Sequence, residues 1–255
     1  MRYKETSLWK CAFEAASDAT ATQTKAIAQL VACYDKFFER ASLLAAQIGA
    51  DLPELTIHDQ SHFHALWEVA DLIVGPDHNL NPLEIFVLGG AILLHDTANT
   101  IRAFSGGRSE VENTPQWSDH HAKLLSSKDD QSEGLTGQER RLVLLLTLRD
   151  IHAQRAKELH TFSVTVGDDK LFLIDDSDLR HSVGEVVGEI AASHHWDVDD
   201  LGTKLQSHIG PPAGFPAEWS IRPVLLACLL RCADAAQIDA SRAPRFLQGV
   251  IKPNS

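Results

Sequence analysis

Asn81-Pro-Leu-Glu-Ile-Phe-Val-Leu-Gly-Gly-Ala-Ile-Leu-Leu-His95-Asp96 is the stretch on which the reading of this chain turns. Its start carries three helix signals. Asn81 can cap free N–H groups, Pro82 suits the first helical position, and Glu84 falls where a capping box places its carboxylate. The apolar run from Ile85 to Leu94 then continues the helix, and it is too short to cross a bilayer. Within it, Leu88, Ala91, Ile92 and His95 share a face, so a histidine arrives at the end of a buried stripe. Asp96 follows directly. An ionised carboxylate is costly to bury unless it is paired or bound to a metal, and a capping role does not explain it where a helix ends. Imidazole beside carboxylate suits Mn, Fe, Co, Ni or Zn, and also Mg when water completes the shell.

The same pattern recurs elsewhere along the chain. His62 heads a stripe of Leu66, Val69 and Ile73, and Asp234 lies on a face with Leu226, Ala227 and Leu230. His194 follows Val187, Ile190 and Ala191, with His195 beside it, and His152 stands where a new helix begins after Leu148-Arg149-Asp150-Ile151. Taken singly, such a histidine reads as a hydrogen-bonded core residue, and Asp234 reads as the partner of Arg231. Taken together, they are the donors of a metal centre: His62, His95, Asp96 and Asp234, extended by His152, His194 and His195. If two ions are held, Asp96 is the natural bridge, since a carboxylate has two oxygens. His120-His121 is a competing pair, but it lies in a polar stretch without an apolar stripe and reads as solvated. His58 and His64 lie off the His62 stripe and read as surface or supporting residues.

Composition narrows the partners. The 255 residues carry a net charge of −12, and no dense Lys/Arg cluster marks a nucleic-acid surface. A small phosphorylated metabolite is the expected partner, with extended nucleic acid disfavoured and no membrane contact. The N-terminus lacks the apolar core and cleavage site of a signal peptide, and Cys11, Cys33, Cys228 and Cys232 read as buried free thiols, so the expected location is the cytoplasm.

The expected fold is mainly α. A helical segment covers about 7–49, and helices follow over about 58–74 and 81–94. A Gly/Ser/Asp/Glu-rich excursion over 103–137 contains one short helix around 117–125 and is expected to form a lid or specificity loop. Helices resume over about 136–148 and again over 152–160. Phe162-Ser-Val-Thr-Val-Gly-Asp-Asp-Lys-Leu-Phe-Leu-Ile174 suggests a short hairpin turning at Gly167-Asp168. Further helices cover about 178–195 and 220–238. Residues 1–50 are read as an N-terminal helical segment packing on the core, 51–245 as one domain, and 246–255 as a short tail.

On these residues the chain resembles the HD superfamily of metal-dependent phosphohydrolases. His62-Phe-His-Ala-Leu-Trp-Glu-Val-Ala70 looks like the first-ligand helix of that superfamily, Leu93-Leu94-His95-Asp96 like its signature step, and Leu230-Arg-Cys-Ala-Asp234 like its closing aspartate. Arg149-Asp-Ile-His152 and Ala192-Ser-His-His195 look like the extra histidines of the binuclear HD-GYP phosphodiesterases. His194-His195 is followed by Trp196-Asp197 with no downstream Gly-Tyr-Pro, so cyclic di-GMP specificity does not carry over. Arg231-Cys-Ala-Asp-Ala-Ala-Gln-Ile-Asp239, followed by Arg242-Ala-Pro244, resembles instead the bacterial HD-CE group, whose domains often precede an Hsp90-like ATPase module in stress or defence systems. The chain ends at Ser255 just after that phrase, as a stand-alone protein or a piece of a longer one would.

The resemblance implies an HD-domain helical bundle that holds one or two divalent ions and hydrolyses a phosphoester or phosphoanhydride bond in a nucleotide. His95 and Asp96 would be the catalytic pair, with His58 as a candidate general acid. Arg102, Arg108, Arg149 and Arg231 are candidate phosphate clamps. Two other readings stay open: a metal- and nucleotide-binding sensor with little turnover, and a metal-dependent nuclease like the HD domains of some CRISPR helicases.

Overall fold

The computed structural model describes residues 3–14, 19–53, 59–128 and 134–237. Its helices are α1 (Ser7–Phe13), α2 (Ala21–Ala45), α3 (Ile48–Asp51), α4 (Gln60–Val74), α5 (Pro82–Leu94), α6 (Gly107–Glu112), α7 (Pro115–Ser126), α8 (Gly137–Glu158), α9 (Ser177–Ala192), α10 (Leu201–Lys204) and α11 (Pro223–Ala236). Strands β1 (Ser163–Val166) and β2 (Asp169–Phe172) pair antiparallel as a hairpin. The fold is mainly α. Local chemistry sets the helix starts: Thr20, Asn81 and Thr136 close capping boxes with Gln23, Glu84 and Glu139. Prolines open α5, α7 and α11.

Helix α5 is the axis of the molecule. Every residue from Leu83 to Leu94 is buried, because α1, α2, α4, α9 and α11 all pack against it. A helix that is apolar all round belongs in a core of this kind. Close approach depends on glycine: a Cβ at Gly89 would meet Trp67 Cζ2 at 2.5 Å and Tyr34 Cε2 at 2.7 Å. Those two aromatics are tied by a bond from Trp67 Nε1 to the Tyr34 hydroxyl at 2.8 Å. At the other end of α5, Glu84 is fully buried and accepts from Arg222 Nε at 2.7 Å and Arg222 Nη2 at 2.8 Å. This charge-assisted fork fixes the start of α11 against the start of α5.

Several sequence expectations are corrected. Among the described residues, the 7–49 segment divides into α1, α2 and the start of α3. Among the described residues, the excursion over 103–137 holds α6 as well as α7, and α7 lies along α8. Helix α7 contains the helix expected around 117–125, whereas α6 is only six residues long and buries only Val111, too short to show a helical period in the sequence. Helix α8 runs unbroken through Arg149 and Asp150, which are merely its solvent-facing positions, so His152 lies within a helix rather than at a start. The last helix begins at Pro223, because Ile221 is committed to an antiparallel bridge with Ile209. Ile73 is 43% exposed, and the buried face of α4 is His62, Phe63, Leu66, Trp67 and Ala70. Only Cys33 among the four cysteines is buried; Cys228 and Cys232 share the outer face of α11, opposite Leu226, Ala227, Leu230 and Ala233. Among the described residues, no helix is long and apolar enough to cross a membrane.

Candidate metal centre

Five helices deliver one side chain or pair each. His62 comes from the first turn of α4. His95 caps the end of α5, with Asp96 next to it. His152 comes from the buried face of α8, and His194-His195 from the single 3-10 turn Ser193–His195 that follows α9. Asp234 comes from the last turn of α11. Their donor atoms form two groups, His62, His95, Asp96 and Asp234 in one and His152, His194 and His195 in the other, each within 4.8 Å internally.

Asp96 joins the two groups. Its Oδ2 lies 3.3 Å from His95 Nε2 and 3.8 Å from His62 Nε2. Its Oδ1 lies 3.4 Å from His152 Nε2 and 3.8 Å from His194 Nε2. Asp234 Oδ1 is 4.0 Å from His95 Nε2. Donors about 2.1 Å from a common ion stand about 3.0–3.4 Å apart in octahedral or tetrahedral arrangements, so these spacings approach those of a ligand shell.

The orientation of the rings carries the stronger argument for fit. His95 Nδ1 donates to Ile92 O at 2.9 Å, His152 Nδ1 to Arg149 O at 2.7 Å, and His194 Nδ1 to Ala191 O at 2.5 Å. His62 Nδ1 contacts Gln237 Oε1 at 2.9 Å. Each ring thereby spends its N–H on an acceptor and turns the Nε2 lone pair inward. The lone pairs then face each other, His62 to His95 at 3.3 Å and His152 to His194 at 3.1 Å. Lone pairs at that distance repel unless a proton or a cation lies between them, and Nδ1–H to carbonyl is the usual support of a metal-ligating histidine. The donor set fits one or two divalent ions.

Electrostatics divides the two groups. Burial works to lower the His95 value, but the Asp96 carboxylate overrides it and leaves this imidazole raised above its ordinary value. His194 is pushed down to about 3, by burial first and then by the charge of His95. His195 is lowered as well, chiefly by burial and then by His152. His194 and His195 are therefore neutral and ready as ligands at neutral pH, while His95 competes for a proton with any incoming cation.

The structure brings together the seven proposed donors but distributes the arginines otherwise. Arg231 does not pair with Asp234. Its Nη1 donates to the Ser193 carbonyl and, at 2.7 Å, to the Trp196 carbonyl, so it braces the turn that presents His194 and His195. Arg108 is exposed and paired with Glu112 at 3.1 Å. Arg102 lines a groove against α2 and the hairpin. Arg149 is exposed, and its charge acts on His195 at the rim. His120 pairs with Asp150 at 2.7 Å, and His64 stacks between Tyr3 and Phe38. His58 lies outside the described residues.

Two supporting residues escaped the sequence reading. Asn99 is 4% exposed, and its Nδ2 donates to the Asp96 carbonyl at 3.1 Å and to Asp96 Oδ1 at 3.3 Å. Gln237, also 4% exposed, orients His62 from beyond the end of α11. The only available signal was position, since each stands three residues after a proposed aspartate ligand.

No curated protein and no solved structure matches the chain. Residues 52–255 match the HD-CE family model, a span that is most of the chain and includes every donor named above. The chain belongs to the HD-CE family.

Proposed function

We propose that this protein is a metal-dependent phosphohydrolase that cleaves a phosphoester or phosphoanhydride bond in a nucleotide or related small molecule. One observation carries the reading: a single carboxylate, Asp96, faces His62 and His95 with one oxygen and His152 and His194 with the other. His62, His95, Asp96 and Asp234 would hold one ion; Asp96, His152, His194 and His195 would hold a second. When bound, such ions supply positive charge for phosphate oxygens and acidify a water molecule.

The chain's own residues do the rest. The Nδ1 contacts hold the His62, His95, His152 and His194 rings in one tautomer and one orientation, with each Nε2 turned inward. Asn99 holds Asp96 between the two groups. Arg149, at the exposed rim beside His195, offers donors and positive charge to phosphates beyond the reacting bond. The net charge of −12 favours a small ligand over a long polyanion. A role in a bacterial stress or defence system beside an Hsp90-like ATPase module is our inference from the family resemblance alone.

Elemental analysis of anaerobically purified protein tests the reading, followed by phosphate-release screening of cyclic and linear nucleotides. Two transition-metal ions per wild-type chain, one in His194→Ala and none in Asp96→Ala, with turnover lost in both variants, is the expected outcome. Stoichiometric metal with ligand binding but no multiple turnover would replace hydrolysis with sensing. Metal-dependent cleavage of single-stranded DNA would make it a nuclease. Absence of metal uptake on reconstitution would sink the catalytic proposal.

A further inference from the structure

Arg102 stands apart from the metal centre, and its surroundings are those of a second site. Arg40, Leu43, Leu44 and Gln47 of α2 face Phe162, Val164 and Leu171–Leu173 of the hairpin region across a cavity of about 440 Å³, with Arg102 at its wall. None of these residues is a donor of the metal centre. The α2 wall also precedes the residues matched by the family model, 52–255.

The walls are apolar and partly uncovered. Leu43 is 65% exposed and Val164 is 48% exposed, and with Leu44, Phe162 and Leu171 they line one concavity. Isolated surface leucines need no explanation, but apolar residues grouped around a cavity of ligand size do. The two cations there differ in their commitments. Arg40 Nη1 is engaged by Asp175 Oδ1 at 2.6 Å and by the Phe172 carbonyl, which neutralises it and anchors β2 to α2. The Arg102 guanidinium forms no ion pair or side-chain hydrogen bond among the described residues, and Arg102 is exposed. Its backbone is nevertheless held in place, because the adjoining turn is pinned by Asp51 Oδ2, which accepts from Thr100 Oγ1 at 2.5 Å and Ile101 N at 3.0 Å.

A rigidly mounted, uncommitted cation beside an apolar cavity is complementary to one anionic group on an apolar body. We propose that this groove binds a small amphipathic molecule with a single anionic head group. The acyl chain or ring would lie against Leu43, Leu44, Val164 and Leu171, and a carboxylate or phosphate monoester would pair with Arg102. Long polyanions fit poorly, since the groove offers one available charge. An uncharged apolar ligand would leave that charge unused and lose the discrimination a charge-assisted contact supplies.

The test is displacement of anilinonaphthalene sulfonate from the full chain by decanoate, decyl phosphate and decanol, in wild type, Arg102→Gln and Leu43→Asp. The expected result is saturable displacement at one site, with both anions stronger than decanol. The better of the two anions identifies the head group. Arg102→Gln should weaken the anions by about tenfold or more, in line with a hydrogen bond to a charged group, and leave decanol unchanged. Leu43→Asp, at a position exposed enough to tolerate the change, should weaken all three ligands. No saturable displacement, or an Arg102→Gln variant that binds anions like wild type, overturns the proposal. So does association with anionic phospholipid vesicles in the absence of any decanoate binding, which would make the patch a membrane contact. Metal content enters none of these measurements, so failure here is distinct from failure of the hydrolase reading.

Discussion

Replacing Gly188 by alanine tests how the two halves of the metal centre are brought together. Gly188 is the point where α9 meets α8: a Cβ there would lie 2.1 Å from the Lys157 carbonyl oxygen, 2.9 Å from its carbon and 3.1 Å from its Cα. Ordinary contact begins at 3.4 Å, so the helices must part by about 1.3 Å at this point. The obstacle is backbone within a helix, and no rotamer change relieves it. Two effects oppose each other. Alanine is favoured over glycine in a helix interior by about 1 kcal/mol. Overpacking costs about 1–3 kcal/mol, and an immovable backbone atom puts this site at the upper end. The net loss is about 1–2 kcal/mol, or about 2–8 °C in melting temperature for a chain of this size.

The same separation should also affect metal binding. Lys157 lies about 8 Å along α8 from His152, so parting the helices widens the 3.1 Å gap between His152 and His194. Thermal melts of the metal-free protein and metal titrations by calorimetry are the assays. Gly137→Ala in the same α8 is the control, since nothing lies within 4 Å of its Cβ position and no such loss is expected. A Gly188→Ala variant that melts at or above wild type would refute the reasoning, and one that loads the His152–His194 group normally would refute its second step.

Other expectations follow from single contacts. Asn99→Ala removes the side-chain amide from Asp96 and should weaken metal binding about 10–100-fold; unchanged metal titrations would show that Asp96 needs no such support. Arg222→Met leaves the buried Glu84 carboxylate without its fork, at a cost of about 3–5 kcal/mol. A Glu84→Gln/Arg222→Met double variant, which keeps an acceptor for Asn81 and buries no unpaired charge, should recover most of that in urea unfolding, and a double variant no more stable than the single would reject the pairing account. Lys36 first, and Arg40 after it, hold the Asp175 carboxyl below its ordinary value of 3.8. That stabilisation is complete above the ordinary value and fades as pH falls through the lowered one. The gap in urea midpoint between wild type and Asp175→Asn should therefore be widest near neutrality and close in strong acid; a constant gap would assign the effect to packing.

Much of the centre was legible because its ligands sit at the ends of apolar stripes. A polar donor that terminates a buried face is conspicuous, and Leu88, Ala91, Ile92 and His95 announce it from spacing alone. The helix start at Asn81 was equally plain, since capping is a property of three or four adjacent residues. Boundaries set by distant packing were not. Helix α8 continues through Arg149-Asp150 because α7 and α9 pack along it, and polar residues on its free face looked like a break. Exposure of Cys228 and Cys232 depends on which side of α11 meets α4, α5 and α9, and nothing local encodes that choice.

By itself, the sequence determined the helical class, the cap at Asn81 and the identity of the residues able to bind a metal, because these rest on side-chain chemistry and on periodicity within a turn or two. The tertiary structure alone decided that Asp96 faces both donor groups, that Arg231 braces a turn instead of meeting Asp234, and that Arg102 belongs to a separate apolar groove. Those facts depend on how five helices cross around α5. A crossing is set by the mutual fit of surfaces far apart in the chain, and no single stretch of sequence contains it.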